Sequence, residues 1–172
     1  MKTINKAVCL AAATLAVTLS GCASSPKMDK FSRADERFVL AGTSVDVQLK
    51  QGVTVRNRDE SDPAPVLFTM TNAGKFLRSD AYANASCNVL GSAVGDAVTK
   101  RMNIEVKRIS CVDGDGVPIV SSPAKGYVYG EDHGLGLAAH IVDSDGRQVL
   151  SVDGDRPATV VIAEDFGFHF GK

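Results

Sequence analysis

The sequence predicts an all-β fold, a small flattened β-barrel or sandwich with short connecting turns, following a signal peptide and a disordered tether. Three observations carry the prediction. Apolar and polar residues alternate with a period of two along most of the chain after residue 39. Sixteen glycines, several in Asp-Gly pairs, punctuate that alternation as turns would. No segment carries the 3.6-residue period of a long amphipathic helix.

The first element is an address. Lys2 and Lys6 form a basic head, and Ala7 to Leu19 form a mostly apolar run. That run has the length of a secretory core and is too short to cross a bilayer. It ends in Leu19-Ser20-Gly21-Cys22, a pattern that resembles the bacterial lipobox, in which the cysteine becomes the first mature residue and is acylated. Residues 1–21 are therefore expected to be a lipoprotein signal peptide and Cys22 the lipidation site. Two or three acyl chains, at roughly 0.8 kcal/mol per buried methylene, hold where one is marginal. Residue 23 is Ala rather than Asp. By resemblance to the sorting rule of enteric bacteria, this directs the protein to the outer membrane, lipid-anchored and facing the periplasm.

Residues 22–38 continue as small, polar and charged residues with isolated apolar ones, the composition of a flexible tether. The remaining chain, 39–172, is long enough for one domain with its own core. With Cys9 in the leader and Cys22 acylated, Cys87 and Cys111 remain. Two thiols in an oxidising compartment pair, and no CxxC or neighbouring histidine supplies the further ligands a metal would need.

Val45, Val47, Leu49, Val53 and Val55 share one parity and predict a half-buried strand or pair. Residues 56 to 65 form a charged loop ended by Pro63 and Pro65, and 66 to 71 a second strand. Cys87 and Cys111 are symmetric about Thr99, so a hairpin turning there sets them face to face, within disulfide reach. In its return strand Met102, Ile104 and Val106 share one face, but the next apolar positions are Ile109 and Cys111. One extra residue near Lys107-Arg108 restores the pattern, which is the signature of a bulge. Gly91 and Gly95 fit the same tight corner. Asp113 to Gly116 form a turn, Val117 to Val120 and 125 to 131 are extended, and 138 to 152 form a hairpin over Asp143-Ser144-Asp145-Gly146. Pro157 interrupts the chain before closing strands in 158 to 170.

Chemistry has no foothold in the motifs. Gly134 to Ala139 match the GxGxxA fingerprint, but strand and turn residues follow where a nucleotide site needs a helix. The aspartates at 113, 115, 143 and 145 lack the glycine and glutamate of an EF-hand loop. His133, His140 and His169 are too scattered for a zinc site, and no GxSxG is present. The formal net charge of −1 leaves no footprint for direct nucleic-acid binding. Neither enzymatic activity, a cofactor nor a metal is expected.

Four blocks, "LAGTSVDVQLKQGV", "DPAPVLFTMTNAG", "CNVLGSAVGDAVTKRMNIEVKRISCV" and "AKGYVYGEDHGLGLAAHIVDSDGRQVL", resemble in content and order the C-terminal domain of TraB-type conjugation proteins. These are outer-membrane core-complex subunits of type IV secretion systems. The resemblance covers roughly 39 to 170 and is most specific from Cys87 to Val112, with Gly91, Gly95-Asp96 and Arg101, followed by Lys125 to Val128. It implies a flattened β-barrel that forms a ring with copies of itself and a lipoprotein partner. This chain departs from the family pattern in two ways. A lipobox and short tether stand where the family has an inner-membrane helix and a proline-rich arm. After "RQVL", where the family inserts a pore-lining helical hairpin, only "SVDGDRP", 151 to 157, is present. A helix pair would need about 20 residues per leg to cross the hydrocarbon.

The expected function is that of a structural outer-membrane lipoprotein, a non-catalytic ring subunit or accessory of a conjugative type IV secretion core complex. Its expected partners are the membrane, through the acyl chains, and other subunits or copies of itself. Two alternatives stand beside it: a lipid-tethered blocking or exclusion protein that occupies a ring position, and a ligand-binding envelope lipoprotein.

Overall fold

The longest paired element of the chain is the hairpin of β5 (Ser86–Asp96) and β6 (Arg101–Val112). In the computed structural model, which describes residues 36–57, 62–78 and 80–170, these strands pair from Asp96↔Arg101 to Ser86↔Val112. The Asp96 carboxylate closes the turn by accepting hydrogen bonds from the backbone N–H groups of Val98 (3.0 Å) and Thr99 (3.2 Å). Lys100 takes the left-handed conformation, φ 53°, needed to reverse the chain.

The ladder is interrupted once. Leu90 faces Arg108 and Gly91 faces Val106, so Lys107 has no residue opposite it. This is the bulge the parity change predicts, and it has a topological use. Before it, β6 pairs on its other edge with β8 (Gly126–Tyr129) through Glu105↔Tyr127 and Val106↔Gly126. Beyond it, the same edge pairs with β7 (Pro118–Ser121) through Cys111↔Ile119. A bulge bends and twists its strand, and here the bend passes β6 from one neighbour to the next.

The pairing with β8 closes a barrel of six strands. From β6 it runs through β5, β4 (Ala64–Met70), β2 (Ser44–Leu49), β12 (Pro157–Ile162) and β8, then back to β6. Alternate residues point inward: Val45, Val47 and Leu49 on β2, Val66, Phe68 and Met70 on β4, and Ala158, Val160 and Ile162 on β12. Burying side chains such as Phe68 and Leu49 contributes roughly 1.5–3 kcal/mol each. Gly91 is needed inside this wall. A β-carbon there would meet Ile104 at 2.9 Å, Val66 at 3.0 Å and the Glu105 carbonyl at 3.1 Å.

Cys87 and Cys111 face each other across the hairpin with Cα atoms 4.1 Å apart and are joined by a disulfide. Both are buried, beyond the bulge, where β6 leaves the barrel wall. From there the sheet extends through β7 to β13 (Phe166–His169) and β1 (Glu36–Val39). Beside it lie α1 (Ala73–Leu77) and a single 3-10 turn at Asp80–Tyr82. The α1 helix is capped by the Asn72 side chain, which accepts from the Lys75 N–H at 3.1 Å. Its Phe76 packs edge-on against Phe168 (centroids 5.7 Å apart) and 6.3 Å from Phe166.

A separate three-stranded sheet consists of β10 (His140–Ser144), β11 (Arg147–Val152) and β3 (Val53–Val55). The β10–β11 hairpin turns at Asp145 and Gly146, both at positive φ (53° and 74°), as a tight two-residue turn demands. A two-residue strand, β9 (Leu137–Ala138), pairs with the start of β6.

The structure departs from the sequence-based expectations in several places. Residues 45 to 55 form two strands in different sheets: β2 pairs with β12 and β4, and β3 with β11. Pro65 does not end the loop but lies within β4, where only β5 pairs with it and β2 has not yet joined. Pro157 does not interrupt the chain but is the first residue of β12, opposite Gln48. Strand β1 begins at Glu36, so residues 36 to 38 belong to the sheet rather than to a tether. The signal peptide, the acylation site Cys22 and the rest of the expected tether lie outside the described residues, as do 58–61 of the charged loop.

Candidate functional site

Antiparallel register places the turn between β5 and β6 at the same barrel end as the start of β4 and the start of β12. At this end Arg101, the first residue of β6, organises the loop after β8. Its Nη1 and Nη2 donate to the two oxygens of the Asp132 carboxylate at 2.6 and 2.9 Å. Its Nε donates to the Leu135 carbonyl at 2.6 Å, and Nη2 also reaches the carbonyls of Gly134 (3.0 Å) and Gly136 (2.7 Å). The Asp132 carboxylate accepts a further bond from the Gly134 N–H at 3.1 Å.

This geometry explains the glycines of "GLGLAA". A β-carbon on Gly134 would lie 2.7 Å from the Arg101 guanidinium carbon. Gly136, at φ 77°, passes directly over the Met102 carbonyl. The run ends in β9 and then β10, so no helix N-terminus faces these glycines and the dinucleotide fingerprint is coincidental.

The electrostatics follow the contacts. Hydrogen bonds from Arg101, then from the Gly134 amide, hold the Asp132 carboxyl well below the ordinary carboxylate range, and Asp132 in turn raises the Arg101 guanidinium. The guanidinium is largely covered while the carboxylate is about half exposed. Chemically the cluster is a brace. Its donors are spent on holding the loop 130–136, so it presents shape rather than a reacting group.

The opposite end is built differently. There β1, the turn Leu40–Thr43 and α1 line a cleft of about 280 Å³, floored by Val39, Phe76, Leu77 and Phe168 with Arg37 and Arg78 at its rim. A second cleft of about 370 Å³ shares Thr43, Phe76 and Arg78 with the first and adds Lys75 and Asp46. Phe38 and Leu40 stand 64% and 61% exposed beside it. Among the described residues, Arg37, Lys75 and Arg78 take part in no ion pair, whereas Arg101, Lys107, Lys125 and Arg156 do.

Of the residues predicted from sequence, Cys87 and Cys111 are brought together, and Cys22 lies outside the described residues. The Arg101–Asp132 brace was not predicted. Its partners are 31 positions apart, and the only local signal is an acidic residue just ahead of a glycine-rich run. The cleft was not predicted either, because Arg37 and Arg78 come to line it only through folding. Among the described residues, no group of three His, Cys, Asp or Glu side chains is placed to hold a metal ion, and no helix is long and apolar enough to cross a membrane.

Fold and site together define a small, closed β-barrel, cross-strand bridged, braced at one end and with an apolar-floored cleft at the other. No family model matches the chain, and no curated protein matches it.

Proposed function

We propose that this protein is a structural, non-catalytic lipoprotein of the bacterial outer membrane, a ring subunit or accessory of a conjugative type IV secretion core complex. Acyl chains on Cys22 fix it to the periplasmic leaflet, and the barrel works through contact with like domains. The observation that carries the proposal is the block from Cys87 to Val112, the most specific part of the resemblance to TraB-type C-terminal domains. It coincides with the β5–β6 hairpin, which contributes two of the six strands of the closed barrel. Gly91 and Arg101, both in that block, have structural work to do: Gly91 in the wall, Arg101 in the brace.

The connection from β11 to β12 supports the emphasis on the lipid anchor. It consists of Asp153 to Arg156 alone, at the point where the family carries its pore-lining helices. A domain without them depends on Cys22 for its membrane hold.

The test is affinity purification of the acylated protein from envelopes, combined with deletion. A ring subunit co-purifies in stoichiometric amounts with a large complex, and its loss abolishes conjugative transfer. Co-purification with transfer intact or raised on deletion assigns the blocking role instead. Recovery of the protein alone overturns the proposal.

A further inference from the structure

We infer that Asp145–Gly146, the turn of the β10–β11 hairpin, is a self-modifying site, at which the folded chain converts Asp145 to isoaspartate in preference to its three other Asp-Gly pairs. This inference is independent of the lipid-anchor reading. Asp-Gly occurs at 113–114, 115–116, 145–146 and 153–154. A glycine has no side chain to shield its nitrogen from the preceding aspartate, so by sequence all four pairs are open to the same reaction. The fold separates them.

Two pairs are held by hydrogen bonds. The Asp113 carboxylate accepts from the N–H groups of Asp115 at 2.9 Å and Val117 at 2.8 Å. The Gly116 N–H, the nucleophile that Asp115 would need, donates instead to the Asp113 carbonyl at 3.1 Å. A third pair, Asp153–Gly154, is packed on the backbone between β2 and β3. A β-carbon on Gly154 would lie 3.1 Å from the Gly52 nitrogen and 3.4 Å from the Gln51 carbonyl carbon, which leaves the peptide little room to rotate. Asp145 and Gly146 meet neither restraint. Both are exposed, and a β-carbon on Gly146 would find nothing within 4 Å. Among the described residues, neither the Asp145 carboxylate nor the Gly146 N–H takes part in a hydrogen bond. Of the four aspartates, Asp145 alone has a positive φ, 53°, a conformation that raises the energy of the starting turn.

The step needs only water. With the carboxyl neutral, the Gly146 nitrogen attacks Asp145 Cγ. The Cγ–N bond forms, the Cγ–OH bond breaks, and the hydroxyl leaves with the amide proton as water. Hydrolysis of the resulting cyclic imide returns that water. Opening at the Asp145 main-chain carbonyl leaves Gly146 joined through Cγ, so the main chain gains the Cβ methylene and the freed carboxylate becomes the side group. Net charge is unchanged, but spacing is not. The tight two-residue turn from Ser144 to Arg147 cannot absorb an extra backbone atom. Strand β11 keeps its pairing with β3, whereas β10 has no other strand among the described residues, so the end of β10 loosens.

The experiment ages the folded protein, disulfide intact, warm and at mildly acidic pH, beside a sample kept reduced and unfolded in guanidinium. Trypsin then separates the sites, because cleavage after Arg108, Lys125 and Arg147 puts Asp113 with Asp115, Asp145, and Asp153 in three different peptides. Isoaspartate gained relative to unaged protein is read by electron-transfer fragmentation in a mass spectrometer. In folded protein, peptide 126–147 should gain it at least about fivefold faster than 109–125 or 148–172, the factor for one hydrogen bond that must be broken before attack. In unfolded protein the four pairs should convert at similar rates. Asp145→Glu, which requires a larger ring, should abolish the signal in 126–147. Asp145→Asn, which suits the same turn, should speed it, with ammonia leaving in place of water. Retention of the β spectrum checks the fold of both variants. Converted protein should exchange the Ser144 and Arg147 amides faster, with the β5–β6 hairpin unchanged. No isoaspartate at 145, an equal or greater rate at 113, 115 or 153, a signal that survives Asp145→Glu, or the same preference in the unfolded chain overturns the inference.

Discussion

Gly134 lies flat against the guanidinium of Arg101, so close that a β-carbon would come within 2.7 Å of its central carbon. The guanidinium cannot retreat, because its nitrogens are bonded to Asp132 and to three carbonyls of the same loop. Gly134→Ala should therefore destabilise the fold by about 1–3 kcal/mol, the range for forcing extra volume into a packed site. A urea unfolding midpoint measures this. An unchanged midpoint would show that the brace is loose.

The brace also carries a pH dependence. The Asp132 carboxyl is held below its ordinary value of 3.8, chiefly by the hydrogen bonds from Arg101. A depressed carboxylate stabilises the folded state fully above its unfolded value and loses that contribution as pH falls through the lower, folded value. The loop 130–136 should loosen in strong acid, seen as faster amide exchange of Gly134 and Gly136. Asp132→Asn should remove this acid response while leaving neutral exchange faster throughout.

The disulfide between Cys87 and Cys111 is buried, so folded protein should show no thiol to labelling reagents until it is both denatured and reduced. In the chain-entropy view, closing a loop of this length is worth roughly 3 kcal/mol, and the double change to alanine should lose about that much. Labelling of Cys87 in the folded protein would refute the bridge.

Lys107 offers a sharper test of the bulge. Deleting a residue from a regular strand turns every later side chain to the other face. Here Lys107 is the unpaired residue, and Val106 and Ile109 already point inward on either side of it. Its deletion should keep Leu90 opposite Arg108 and the disulfide intact. The cost should be about 1–3 kcal/mol, because β6 loses the bend that passes it from β8 to β7. Loss of the disulfide, read as free thiols by mass spectrometry, would contradict the register.

Cys22→Ala should move the protein from the membrane fraction to the soluble periplasmic one, because the acyl chains are its proposed hold on the bilayer. Membrane association that survives the substitution would remove the anchor from the account.

By itself the sequence determined the β class, the hairpin with its bridged cysteines and the place of the bulge, because each is written in short-range parity and spacing. A strand reports its faces every second residue, and one displaced apolar position at Ile109 is enough to reveal Lys107. Only the tertiary structure decided that Val45–Leu49 and Val53–Val55 belong to different sheets, that Pro65 lies within a strand and Pro157 begins one, and that the barrel closes through Glu105 and Tyr127. These depend on which edge remains unpaired when another strand arrives. Arg101 with Asp132, and Arg37 beside Arg78, are meetings of the same kind: side chains far apart in the chain have no local pattern to announce them, and only the closed sheet sets the distance between them.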